Sequence, residues 1–178
     1  PAPDERAANA AFERARSYSR SGTVCVEEFV AGIEVGGDGI LRDGQFAFIA
    51  ITHKHLDGFV VRGHNLPTNI DPDDQRRVRL ALEKCCVALG YRNGPLNFDV
   101  MVSSERVVIL EMSARNGGNG IPAIISRSTE VDVEVATMKF ALGEGLELPV
   151  DGPSIRGVGS LIFGSEQAGV LRGIRDLA

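Results

Sequence analysis

Residues 96–120 read LNFDVMVSSERVVILEMSARNGGNG, and this stretch decides the fold. Leu96 to Val102 and Val107 to Met112 are two β-rich runs joined by the tight Ser103-Ser104-Glu105-Arg106 connection, which predicts a hairpin. The return run is apolar almost throughout, as in a strand covered on both faces. One acid stands in each arm, Asp99 and Glu111. Two acids on one side of a hairpin are costly unless a cation lies between them or an arginine such as Arg115 pairs with them. Oxygen-only donors, with Ser113 close by, suit Mg²⁺, which keeps waters and takes up substrate phosphates. Arg115 to Gly120 then forms a glycine-rich loop whose backbone N–H groups could approach an anion; a plain flexible turn is the alternative. It is neither a Walker loop nor a Gly-x-Gly-x-x-Gly dinucleotide turn.

The flanks follow the same α+β logic. Upstream, Val24 to Val30 and Ile33 to Ile40 read as strands, and Asp43-Gly44 marks a hairpin turn into Phe46 to Ile51. His53 to Gly58 reads as a polar loop, Phe59 to Arg62 as a short strand and Gly63 to Ile70 as irregular. Asp71-Pro72 opens a helix, with Val78, Leu82, Cys85 and Leu89 on its inner face and Gly90 at its end. Asp132 caps a second helix ending at Gly143, and 156–174 reads as a closing hairpin. The N-terminal run carries Ala7, Ala8, Ala11, Phe12 and Ala15 at helical spacing. It reads as the terminal helix of a preceding subdomain. The expected organisation is therefore 1–23 as that helix, 24–148 as the main subdomain and 149–178 as the closing hairpin segment.

Composition narrows the function. The 178 residues carry a net charge of −5, so nothing electrostatic favours nucleic acid or an anionic membrane. No apolar run approaches a membrane span. Cys25, Cys85 and Cys86 form neither a disulfide framework nor a spaced zinc pattern, so a reducing cytoplasm is the expected setting.

Three segments in order, Glu27-Glu28-Phe29-Val30-Ala31-Gly32-Ile33-Glu34, Asn97-Phe98-Asp99, and Leu110 to Gly118, resemble the C-terminal half of the ATP-grasp ligases. The likeness is to carboxylate–amine ligases and to the ATP domains of biotin carboxylase and carbamoyl phosphate synthetase. It implies an antiparallel sheet with flanking helices, and ATP and Mg²⁺ (Mn²⁺ as an alternative) as cofactors. It further implies that Glu27 receives the adenine amino group and that the backbone of Glu28, Phe29 and Val30 reads the ring. Glu34 would bind ribose, Asp99 and Glu111 the metal, and Arg115 the transferring phosphate. Thr52-His53-Lys54 resembles the segment that brings a lysine towards the phosphates. Ser113 stands where the family usually has a metal-binding asparagine, which leaves a second Mg²⁺ open.

The implied reaction activates a carboxylate as an acyl phosphate and joins it to an amine or similar nucleophile. Small-molecule carboxylates and amines are the implied partners, with a homodimer left open. The segment by itself is expected to hold half a site and to be inactive. Two rivals stand beside this reading. One is a non-catalytic nucleotide-binding module of the same fold. The other is a β-rich metalloprotein using His53, His55 and His64, which requires the loop at 53–58 to be a strand.

Overall fold

The computed structural model describes residues 2–145, 148–149, 154, 156–165, 168–170 and 172–173. The chain divides into two compact units, residues 1–31 and 32–178. The first holds helix α1 (Glu5–Tyr18), whose N-cap Asp4 accepts from the Ala7 N–H. Residues 24–30, expected as a strand, have no regular structure there, and Val26 and Phe29 are exposed. Their apolar side chains meet no partner ladder among the described residues, and β propensity alone does not make a strand.

The second unit is built on one six-stranded sheet with the order β5-β4-β1-β2-β3-β6, every neighbouring pair antiparallel. Strands β1 (Ile33–Arg42) and β2 (Gln45–Asp57) form the hairpin turned at Asp43-Gly44, both with positive φ. Strand β2 runs to Asp57, so residues 53–57 of the expected polar loop are strand and only Gly58 lies in the turn. Its polar residues are paired across the ladder with β3 (Val60–Leu66), which also extends beyond its expected end. Helix α2 (Pro72–Ala88) starts as read, with Asp71 accepting from the Asp74 N–H at 2.8 Å. Strands β4 (Gly94–Val102) and β5 (Val107–Ser113) form the second hairpin. Helices α3 (Ile121–Thr129) and α4 (Val133–Ala141) follow, then β6 (Val158–Leu161).

The sheet has two different faces. On one, Val35, Leu41, Ile49, Ile51, Phe98 and Val100 pack against Val78, Leu82 and Cys86 of α2. The buried stripe of α2 thus recurs every fourth residue from Val78; Cys86 replaces Cys85 as its thiol, and Leu89, expected inside, is exposed. On the other, α3 and α4 place Ile121, Ile125, Val133 and Ala136 over Ile40, Phe48 and Ala50. Helix α3 was not foreseen, since nine residues opening Ile-Pro and ending Ser-Thr carry little periodic signal. Strand β5 is the sheet edge and half-exposed, not covered on both faces as its apolar run suggested.

Strand β6 pairs with β3 rather than with a following arm. Of the expected second arm, Val170, Arg172 and Gly173 have no regular structure, while Leu171 and Ile174 lie outside the described residues. Among the described residues no helix is long and apolar enough to cross a membrane.

Candidate functional site

Strand alternation gathers the site on the α3–α4 face, beyond the part the helices cover. In an antiparallel ladder, directly paired residues point to the same side. Gly36 is opposite both Thr52 and Asp99, Asp38 is opposite Asn97, Lys54 is opposite His64, and Asp99 is opposite Glu111. Glu34, Gly36, Asp38, Thr52, Lys54, His64, Asn97, Asp99 and Glu111 therefore share a face. Lys54, His64, Asn97, Asp99, Glu111 and Arg115 line a cleft of about 390 Å³. A larger cavity of about 560 Å³ between Ile49, Ile51, Leu66 and α2 contains none of these carboxylates.

Lys54 is the centre of charge. Its side chain is 5% exposed, and its Nζ donates to Glu34 Oε1 at 2.5 Å and to Asp99 Oδ2 at 2.9 Å. Burial disfavours the ammonium, but the two carboxylates outweigh it and hold its pKa above the ordinary value. The lysine stands in a strand, not in a loop. Asp99 and Glu111 are cross-strand neighbours, with Cβ atoms about 5 Å apart in such a pair. Ser113 Oγ donates to Glu111 Oε1 at 3.2 Å. Two adjacent carboxylates and a hydroxyl make a hard, oxygen-only donor set, which fits Mg²⁺ held by one or two carboxylates with waters and phosphates completing its shell.

A buried clamp lies beside them. Asp38 is fully buried; its Oδ1 and Oδ2 accept from the Gly117 N–H at 2.8 and 2.9 Å, and Oδ1 also accepts from Asn97 Nδ2 at 2.9 Å. Asn97 Nδ2 donates to Gly37 O as well, at 3.0 Å. Burial raises the Asp38 carboxyl to about 6 against the pull of the Gly117 N–H, Asn97 and the Arg115 charge; Glu134 adds a small push upward. A Cβ at Gly117 would lie 2.7 Å from Asn97 Nδ2 and 2.8 Å from Asp38 Oδ1, so any other residue would force these two side chains to shift. So one N–H of the glycine-rich loop is taken by the protein's own carboxylate. Asn116 ties the loop to α4, accepting from Thr137 Oγ1 and donating to Val133 O. Arg115 is exposed, and its Nη1 donates to Asn116 O at 2.9 Å.

Sequence reasoning missed Asp38. The available signal was Gly-Gly-Asp-Gly within a strand, an acid flanked by residues that leave room around it.

The remaining predicted residues belong elsewhere in the chain. Glu27, Glu28 and Phe29 are exposed and Val30 half-buried in the first unit, where the Cys25 thiol donates to Glu27 Oε1 at 3.4 Å. The histidines are split. His53 and His55, two apart in β2, meet edge to face at 4.8 Å, while His64 shares the opposite face with Lys54 and bonds Thr52 Oγ1 through Nδ1 at 3.0 Å. Among the described residues no cluster of three or more His, Cys, Asp or Glu could hold a metal ion. Alternation, which the histidine reading needed, is what separates the third ligand from the first two.

Comparison with known proteins matches this architecture. The family model of the ATP-grasp domain matches residues 4–123. The uncharacterised protein y4rH of Sinorhizobium fredii is 28% identical over 135 residues, covering 74% of this chain and 27% of that protein. Human carnosine synthase 1 is 28% identical over 133 residues, covering 73% of this chain and 16% of the synthase. The chain thus spans about a quarter or less of these relatives. In structure it is similar to the L-amino acid ligase of Bacillus licheniformis, with a TM-score of 0.69 at 20% identity, covering 79% of this chain and 36% of the ligase. An antiparallel sheet with this cleft and a family model matching most of the chain lead to one assignment: the chain belongs to the ATP-grasp domain family.

Proposed function

We propose that this chain supplies the metal- and phosphate-binding half of an ATP-dependent ligase site. In the whole protein, ATP would activate a small-molecule carboxylate as an acyl phosphate, which an amine then displaces. The observation that carries the proposal is the Lys54 clasp on Asp99 and Glu34, set beside Glu111 and Arg115 in one cleft. A ligase is further supported by the names of two relatives, a carnosine synthase and an L-amino acid ligase.

Each residue has a distinct task in this proposal. Asp99 and Glu111 would hold Mg²⁺, with Ser113 as a neutral neighbour; when bound, the ion supplies charge neutralisation at the phosphates. Lys54 keeps the Asp99 carboxylate aimed through the ion pair at 2.9 Å, and we assign it this fixed role in place of a movement towards the phosphates. Glu34 gives one oxygen to Lys54, and its second oxygen is the one offered to a ribose hydroxyl. Glu27 would accept from the adenine amino group, with the backbone of Glu28, Phe29 and Val30 at the ring edge. Arg115 stands at the cleft rim, where a guanidinium can meet developing phosphate charge in two-pronged fashion. Positioning and charge neutralisation are the usual protein contributions to phosphoryl transfer.

The test uses the whole protein with Mg²⁺ and a panel of L-amino acids, which carry both a carboxylate and an amine. ADP and phosphate should be released only when ATP, Mg²⁺ and both reacting groups are supplied, and Glu111→Gln should abolish release. Tight ATP binding without turnover across the panel would instead make the chain a nucleotide-binding module.

A further inference from the structure

We propose that Asp38 is the positioning residue of the glycine-rich loop: from the sheet floor it anchors Gly117 and thereby fixes where Arg115 stands over the cleft. The inference rests on the reading of Arg115 as the residue that meets the transferring phosphate. Three observations carry it. First, Asp38 is fully buried and is not among the residues lining the cleft, and the hydrogen bonds its carboxylate accepts come from the protein's own Gly117 N–H and Asn97 Nδ2. Second, the Gly117 N–H is gripped by both carboxylate oxygens, so the loop backbone is the carboxylate's main partner. Third, the grip is two residues from Arg115, on a loop segment whose other fixed point is Asn116 against α4.

The chemistry explains why an acid is kept there. A buried carboxylate costs stability, and a neutral residue would be cheaper for packing alone. A carboxylate, however, is an acceptor at every lone pair, and charge-assisted acceptance from an N–H is stronger than acceptance by a neutral amide. It can face Gly117 and Asn97 together without presenting a donor to either. An asparagine at position 38 keeps the volume but must turn an NH₂ group towards one of these two donors. The loop would then lose its fixed distance from the sheet, and Arg115 would sample positions away from the phosphate. A misplacement near 1 Å is enough to slow a positioned reaction about 100-fold.

Two measurements on the whole protein test this. Amide hydrogen exchange of 115–120 should become at least about tenfold faster in Asp38→Asn, with β1, β2 and β4 still protected. Unchanged exchange in that loop would overturn the proposal. Turnover with ATP, Mg²⁺ and the L-amino acid panel should fall at least about tenfold in Asp38→Asn, in kcat with little change in the KM for ATP. In an Arg115→Ala background the same substitution should have almost no further effect, because the two act through one group. Full additivity, or a loss confined to KM, would show that Asp38 does not act through Arg115 and would overturn the inference. Normal turnover in Arg115→Ala alone would instead overturn the reading of the arginine, and absent turnover leaves the exchange result to decide on the anchor.

Discussion

Lys54 and Asp99 form an ion pair across an intervening strand. Nζ of β2 reaches Oδ2 of β4 at 2.9 Å, passing over β1, and the residue it passes is Gly36. A Cβ at Gly36 would lie 2.8 Å from Asp99 Oδ1 and 3.3 Å from the Lys54 Cδ. The glycine is therefore the gap through which two non-neighbouring strands share charge.

Filling that gap should separate the pair. Gly36→Val is expected to cost about 1–3 kcal/mol of stability through overpacking. It should also lower ATP turnover of the whole protein more than about tenfold. Denaturant titration alongside turnover checks both, and a variant of normal stability and normal turnover would show that the crossing pair has no role.

Removing the cation should leave two partly shielded acids facing each other. Glu34 is 19% and Asp99 31% exposed, so solvent screens part of their repulsion. Lys54→Met should then destabilise the chain by about 1–2 kcal/mol, less than the loss expected for a fully buried pair. Added Mg²⁺ should raise the melting temperature of Lys54→Met more than that of the unaltered protein, because Asp99 is freed of its internal cation. Equal Mg²⁺ responses in the two proteins would count against Asp99 as a metal ligand.

Arg115→Ala should depress kcat by about 100- to 1,000-fold while changing the KM for ATP little, as expected for a group needed most when charge develops in the transition state. Steady-state kinetics on the whole protein measures the split. A raised KM at constant kcat would assign the arginine to ground-state binding.

Two buried groups should oppose each other in acid. Burial, reinforced by the Lys54 charge, lowers His64 from 6.5 to about 4. The unfolded chain then takes up this proton first, so stability is lost as pH falls from about 6.5 to 4. Asp38 works in the other direction. Its folded value of about 6 lies above 3.8, so the folded chain takes up the proton first and gains stability as pH falls from about 6 to 4. Each contributes roughly 3 kcal/mol at most, and in the unaltered protein the two largely offset. His64→Gln should consequently become more stable between pH 7 and pH 5, and Asp38→Asn less stable. Denaturation midpoints at the two pH values check this, and parallel slopes in both variants would contradict it.

Much of this architecture was legible because its signals are local. Asp71-Pro72 specified a helix start through one cap and one preset φ. Asp43-Gly44 specified a hairpin because both residues readily take the positive φ its tight turn uses. Ser103 to Arg106 joined the two acid-bearing strands through a short turn, while the bulge beside Asp99 that sets it opposite Glu111 left no mark in the sequence. The ordered motifs from Glu27 to Gly118 carried the family.

What failed depended on neighbours. His53 to Asp57 looks like a loop because its residues are polar, yet its inward side chains, Lys54 among them, are satisfied by Glu34 and Asp99 from other strands. Strand β5 looks buried because it is apolar, yet it forms the sheet edge, and nothing in seven residues records which strand lies last.

The sequence by itself determined the family, the β1–β2 and β4–β5 hairpins and the capped helix α2, and singled out Asp99, Glu111 and Arg115, since each is written in adjacent residues. Only the tertiary structure decided that Lys54 pairs with Asp99 over Gly36, that Asp38 holds Gly117, and that His64 faces away from His53 and His55. Those relations join residues 45 and 79 positions apart, or turn on which side of a strand a residue falls. Sheet order and pleat settle them, and both arise only when the strands pack together.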